Sequence, residues 1–338
     1  MMKMYKLMFF STTMMSTLIS ISSYTWLGMW IGLEMNLLSI IPIINNKNIL
    51  SSEASIKYFI TQALASTIVM MSIIVMMWKL NFYSNFEMKN NTMMIMNSGL
   101  LLKMGMAPFH FWFPEVLEGL NWNNCLLMLT WQKITPMVLL MYNTEFSLYF
   151  SIVIIFSMVI SSMMSINQMS IRKLMAFSSI NHMGWMLSGM IMEKTVWMIY
   201  FLIYAIITIN ISIMMKNIYY LNQLFPKLNI SYSMKMFFML NFLSLSGVPP
   251  FLGFLPKWLV IQTMIENNMF MLSIIMIMFT LIMIFVYIRI AMSSLILKNN
   301  QMNWTLKLNL KNNSIIISMM NFFLLTSLIL ITIMLNMI

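Results

Sequence analysis

Eleven stretches of mostly apolar residues follow one another along this chain with only short loops between them. They cover residues 5–22, 24–44, 54–78, 92–113, 123–142, 147–166, 172–192, 195–215, 234–256, 270–296 and 314–336, and the ninth continues as a broken segment to about Gln262. A helix needs about 20 apolar residues to cross the hydrocarbon core of a bilayer. Only 8% of the residues are charged, whereas a soluble domain carries about 25%, so a water-soluble enzyme is excluded. A β-barrel requires alternating polar and apolar residues, and these runs are apolar throughout. The expected fold is an all-α polytopic membrane protein with about eleven transmembrane helices.

The basic residues sort by side. With the N-terminus on one face, twelve loop lysines and arginines, from Lys3 to Lys311, fall on that face. Three, Lys79, Lys89 and Lys194, fall on the other. The positive-inside rule places the N-terminus inside, and an odd helix count places the C-terminus outside. The net charge of +11 therefore reflects loop orientation, not a nucleic-acid surface. The opening MMKMYKLMFF has no small-residue cleavage site and is expected to begin the first membrane helix. The single cysteine, Cys125, excludes an intrachain disulfide, a CxxC pair and an iron–sulfur cluster built by this chain alone. Two histidines and no aspartate leave little for a metal site, and no P-loop, GxGxxG, HExxH or Ser-His-Asp pattern is present. The 48 methionines point to an AT-rich genome that reads ATA as Met, as animal mitochondria do.

A short motif recurs. Residues 108–114 read PFHFWFP and residues 250–256 read PFLGFLP, both P-F-x4-P, in the fourth and ninth helices. An offset of five helices inverts the second copy in the membrane. The expectation is two inverted five-helix repeats, 1–142 and 147–296, with helices 4 and 9 broken at the prolines, plus an additional helix at 314–336 within one membrane domain. Paired, interrupted spans in inverted halves mark the working site of a transporter.

Several charges lie where they are costly. Glu34, Lys103 and Lys133 sit near the middle of helices 2, 4 and 5. Each costs about 2.5–3.5 kcal/mol at mid-membrane depth, on the order of 8–10 kcal/mol together. One reading is a buried Glu34–Lys103 ion pair that fixes helix packing. One glutamate cannot neutralise every lysine, however, and burial favours loss of the ammonium proton, the chemistry of a proton relay. Lys133 has no acid in its own stretch, LTWQKITP, so water or a neutral amine is expected beside it. Lys257 follows the helix-breaking run GVPPFLGFLP, where it either snorkels to the interface or serves the repeat. His110 and His182 are interhelical donors or members of the same relay. Arg289 is expected to snorkel, Glu115 and Glu118 to lie in a loop, and Trp122 and Tyr232 to anchor at the interface.

GLEMNLLSIIP, LLKMGMAPFHFWFPEV, LTWQK, RKLMAFSSINHMGWM and LSLSGVPPFLGFLPKW occur in this order over about residues 24–265. The sequence thereby resembles the chain 2 family of NADH–ubiquinone oxidoreductases, antiporter-like membrane subunits of mitochondrial respiratory complex I, in an insect version. The resemblance implies a proton-translocating role on a hydrophilic axis at Glu34, Lys103, Lys133 and Lys257, with His110 and His182 alongside. It implies no redox site and no bound cofactor in this chain. NADH, FMN, iron–sulfur clusters and ubiquinone would belong to partner subunits. The implied partners are the other membrane-arm and accessory subunits and inner-membrane lipids, without nucleic acid. The implied location is the mitochondrial inner membrane, N-terminus in the matrix and C-terminus in the intermembrane space. Longer bacterial relatives have fourteen helices, and the resemblance implies that a chain of this kind is expected without the first three.

Three rivals remain at this point. A stand-alone cation/proton antiporter of related fold would work alone in liposomes. A haem-bearing quinone oxidoreductase ligated by His110 and His182 would absorb visible light. A passive scaffold has no use for buried lysines.

Overall fold

The computed structural model describes residues 4–46, 48–82, 86–144, 147–216, 218–223, 232–249 and 251–296. The stretch 314–336 lies outside them. The other ten stretches coincide with helices: α1 (Met4–Ser22), α2 (Trp26–Ile44), α3 (Ile49–Phe82), α4 (Phe86–Met104), α5 (Trp112–Gly119), α6 (Trp122–Leu129), α7 (Trp131–Leu140), α8 (Ser147–Ser165), α9 (Ile171–Met192), α10 (Lys194–Met214), α11 (Tyr232–Ser246), α12 (Phe254–Glu266) and α13 (Phe270–Ile296). Among the described residues the one extended pairing is an isolated bridge, Ser170–Tyr220. A helix satisfies its own backbone polar groups, which is what a chain without water around it requires.

Among the described residues, six helical stretches are long and apolar enough to cross a membrane: Trp26–Ile44, Ile49–Trp78, Trp122–Asn143, Ser147–Ser165, Lys194–Met214 and Phe270–Ser294. α1, α4 and α9 have the length but carry Ser, Thr, Asn and charged residues. α1 shows why such residues are tolerated. Its buried residues are Thr13, Ser16, Thr17 and Ser20, while Met4, Leu7, Met8, Met15 and Leu18 are exposed. This is the reverse of a soluble amphipathic helix and suits a lipid-facing exterior. The hydroxyls bond back to their own helix, as Ser16 Oγ to Thr13 O at 2.8 Å and Ser20 Oγ to Thr17 O at 2.8 Å. The small face lets α2 approach so closely that a Cβ on Gly32 would lie 2.8 Å from Ser20 Cα.

The chain divides into two compact units, Met1–Val153 and Ile154–Ile338. In the first, α1 packs on α2, α3 on α2, α4 and α5, and α7 on α4 and α1. In the second, α9 packs on α10, α12 and α13, and α11 on α10 and α13. Nineteen of the 22 residues of α9 are buried, as expected of a helix enclosed on all sides.

Each unit contains one conspicuous helix end. α4 stops at Met104, and Gly105 turns left-handed at φ +69°. Gly105 N–H donates to Leu102 O at 3.1 Å and Met106 N–H to Leu101 O at 3.1 Å. α11 stops at Ser246, and Gly247 has φ +75°. Gly247 N–H donates to Ser244 O at 3.1 Å and Val248 N–H to Leu243 O at 3.4 Å. Both ends are the same Schellman cap, which needs a residue free to enter the left-handed region. Each glycine stands three residues before the first proline of a P-F-x4-P motif.

Local assignments differ from expectation at several places, and Arg172, counted among the loop cations, is a buried residue of α9. Glu115 and Glu118 are helical, in α5, because Pro114 pre-sets a first-turn backbone. Glu115 Oε2 pairs with Lys57 Nζ at 2.8 Å, and Glu53 Oε1 takes the same ammonium at 2.9 Å. Trp122 is 4% exposed, so it packs inside and does not anchor at a surface. Lys235 is a buried residue of α11, not a loop lysine.

Candidate functional site

Lys103 lies in the last turn of α4 and is buried. The C-terminal end of a helix carries partial negative charge from its unpaired carbonyls, so the break offers a cation an electrostatic seat. The carbonyls released there are taken up from outside the helix. Trp112 Nε1 donates to Leu102 O at 3.2 Å, and Gln62 Nε2 donates to Lys103 O at 3.1 Å.

Glu34 is half-buried on α2. Glu34 and Lys103 do not form a direct ion pair: the described residues show one ion-paired cluster, around Lys57. The buried Oε1 of Glu34 has no hydrogen-bond partner among the described residues. A small cavity, room for about one water molecule, is lined by Asn36, Tyr58, Gln62, Lys103, Gln132 and Thr135 together with Leu33, Leu37 and Pro136. Asn36 and Gln132 join α2 to α7 through a reciprocal amide pair, with Asn36 Nδ2 donating to Gln132 Oε1 at 2.8 Å and Gln132 Nε2 to Asn36 Oδ1 at 3.4 Å.

Lys133, on α7, is 1% exposed. Its ammonium lies 5.0 Å from the centre of the Phe113 ring, a cation–π contact. Phe113 belongs to the P-F-x4-P segment and backs onto Gly105, where an added Cβ would come within 2.8 Å of the Phe113 Cβ. His110 is buried in the break between α4 and α5, with Nδ1 3.3 Å from Pro108 O.

In the second unit Lys257, near the start of α12, is buried and folds back over the other helix end. Its Nζ donates to Ser246 O at 2.7 Å, the last carbonyl of α11. The side chain lies against Gly247, where an added Cβ would stand 2.9 Å from Lys257 Cδ and 3.0 Å from Nζ. The Trp185 ring of α9 is 5.9 Å away. His182, one helical turn before Trp185, places Nδ1 2.9 Å from the Tyr200 hydroxyl and its ring 5.1 Å from that of Tyr204. Arg289 is exposed and its Nη2 donates to Ile166 O at 2.7 Å, past the end of α8.

All six predicted site residues are thus in the protein interior or half-buried; Lys103 belongs to the last turn of one interrupted helix, and Lys257 places its ammonium on the last carbonyl of the other. Sequence reading missed Asn36, Gln62 and Tyr200, which are ordinary polar residues within apolar runs. Among the described residues no three His, Cys, Asp or Glu side chains converge as metal ligands.

Fold and site together define a helical membrane protein organised around buried basic groups at interrupted helices. The NADH:quinone oxidoreductase/Mrp antiporter transmembrane family matches residues 23–284, and the chain belongs to that family. It is 48% identical over 311 residues to NADH-ubiquinone oxidoreductase chain 2 of Anopheles gambiae, covering 90% of this chain and 89% of that one. It is 47% identical over 329 residues to the chain 2 of Aedes aegypti, covering 96% of each. The resemblance carried by the five motifs therefore extends over most of the chain, with insect relatives. Among solved structures, a chain of respiratory complex I from Thermus thermophilus superposes with a TM-score of 0.87 at 19% identity, covering 99% of this chain and 80% of that one; at that identity the likeness is one of fold.

Proposed function

We propose that this chain is a proton-translocating, antiporter-like core subunit of the membrane arm of mitochondrial respiratory complex I. One observation carries the reading: Lys103 and Lys257 are each buried at the C-terminal end of a helix closed by the same glycine cap. NADH oxidation and ubiquinone reduction take place in partner subunits, which hold the FMN and iron–sulfur clusters. The chain works in the mitochondrial inner membrane as eleven spans among the other membrane-arm subunits, accessory subunits and lipids. The matched caps support two inverted five-helix repeats, 1–142 and 147–296, followed by one further helix.

The proton path uses Glu34, Lys103, Lys133 and Lys257, with His110 and His182 beside it. Lys103 holds a proton at Nζ, stabilised by the α4 terminus and the Glu34 carboxylate. When a distant change withdraws that carboxylate, the ammonium is disfavoured and its proton leaves along water toward Lys133 and then Lys257. The separation of Glu34 and Lys103 supports this, because a pair that is not locked by direct hydrogen bonds is easily modulated. Lys133 takes part through water, and its Phe113 contact tolerates either charge state.

The test is the proton-to-electron ratio of assembled complex carrying Lys103→Ala or Glu34→Gln. The expected result is a lowered ratio, or coupled turnover slowed on the order of tenfold for each. Normal pumping by both variants would make these groups structural. Activity of the isolated chain in liposomes would instead favour a free antiporter.

A further inference from the structure

Three phenols are buried deep in the second unit: Tyr200 at 1%, Tyr204 at 2% and Tyr287 at 2% exposure. Tyrosine in a membrane protein ordinarily sits at the interface, where its hydroxyl reaches water. A phenylalanine would fill the same volume without a hydroxyl to desolvate. Tyr200 and Tyr204 of α10 both meet the ring of His182 on α9, with centroids 6.0 and 5.1 Å away. Tyr287 of α13 is within electrostatic reach of Tyr200. The polar contact that orders the group is His182 Nδ1 to Tyr200 Oη, at 2.9 Å.

The two buried histidines differ in what faces Nδ1. At His110 it is the carbonyl of Pro108, which accepts only, so that contact is made only while Nδ1 carries hydrogen. At His182 it is a phenol hydroxyl, which both donates and accepts. That hydroxyl donates to Nδ1 of the neutral ring protonated at Nε2. It accepts from Nδ1–H of the other neutral tautomer and of the imidazolium. The hydrogen bond therefore survives every protonation state, and the ring can take a proton at one nitrogen and release one at the other without reorienting.

We propose that Tyr200 is a positioning residue of the proton path, holding His182 in one orientation while the imidazole changes tautomer and charge. This rests on the proton-path reading above and adds a member to it.

The test is a double-mutant cycle in the assembled complex, reading coupled proton pumping, NADH oxidation and the quinone KM, with Lys103→Ala in parallel. Tyr200→Phe keeps the ring and removes the hydroxyl. It is expected to lower coupled pumping on the order of tenfold, the loss of one hydrogen bond to a charged group, with quinone KM unchanged. His182→Gln is expected to fall as far or further, and adding Tyr200→Phe to it to cost nothing more, because Tyr200 acts only through His182. Normal pumping by Tyr200→Phe beside an impaired Lys103→Ala would overturn this inference and leave the proton path standing. Additive losses, or failure of Tyr200→Phe to assemble, would make the phenol structural and overturn it equally. Normal pumping by all the variants would remove the proton path itself.

Discussion

Gly247 serves two purposes at one position. Its φ of +75° closes the end of α11, and its bare Cα leaves the space in which Lys257 reaches Ser246 O. Gly247→Ala should cost about 1–2 kcal/mol from the left-handed backbone alone and in addition push the lysine off its carbonyl. The expected outcome is a lower inactivation temperature of the assembled complex together with reduced pumping. Gly105→Ala, where the added Cβ would meet Phe113 and Trp112, should destabilise similarly. An unchanged complex in either case would show that the cap is not required. The lysines at these ends were legible in the sequence, because charge within an apolar run is conspicuous. Gln62 and Asn36 were not, since an amide in such a run has no mark of its own until a partner on another helix is known.

At the scale of elements, contact between α1 and α2 depends on Gly32 lying on the backbone of Ser20. Gly32→Val should force the helices apart at a cost of about 1–3 kcal/mol, typical of overpacking. The measurement is the yield of assembled complex and its thermal inactivation, and a normal yield would refute the close-packing argument. The Asn36–Gln132 pair joins α2 to α7 in the same unit. Gln132→Leu strands a buried amide at a cost of about 1–3 kcal/mol, whereas the double variant with Asn36→Leu should recover part of that loss. Additive destabilisation in the same assay would argue against coupling through the pair. Helix existence follows from local composition. The pairing of faces does not, because helices apolar nearly all round show little of which side meets a neighbour.

For the whole molecule, the uneven distribution of basic residues predicts a definite topology. Lys194 and Lys216 are exposed, the first opening α10 and the second just past its end; the helix has 21 residues and is about 31 Å long. In intact inner membranes, a membrane-impermeant thiol reagent should reach Lys216→Cys only from the matrix side and Lys194→Cys only from the intermembrane side. Cys125 is buried, so it should add little background. Labelling of both sites from one face would reverse or dissolve the assigned orientation.

Membrane residence, the order of helices and the two interruptions could all be read along the chain, because each depends on contiguous residues: about 20 apolar positions for a span, a glycine and a proline for a break. The burial of Lys103 and Lys133 could be expected from the same local pattern, whereas that of Lys257 could not, since an interfacial position was equally open to it. What surrounds those groups could not be read this way. That Glu34 and Lys103 form no direct ion pair, that Glu115 pairs with Lys57 58 residues away, and that the Tyr200 hydroxyl meets Nδ1 of His182 are decided by which helix faces meet. A one-dimensional pattern specifies what must be buried, and only the packing of helices selects the partner each buried group receives.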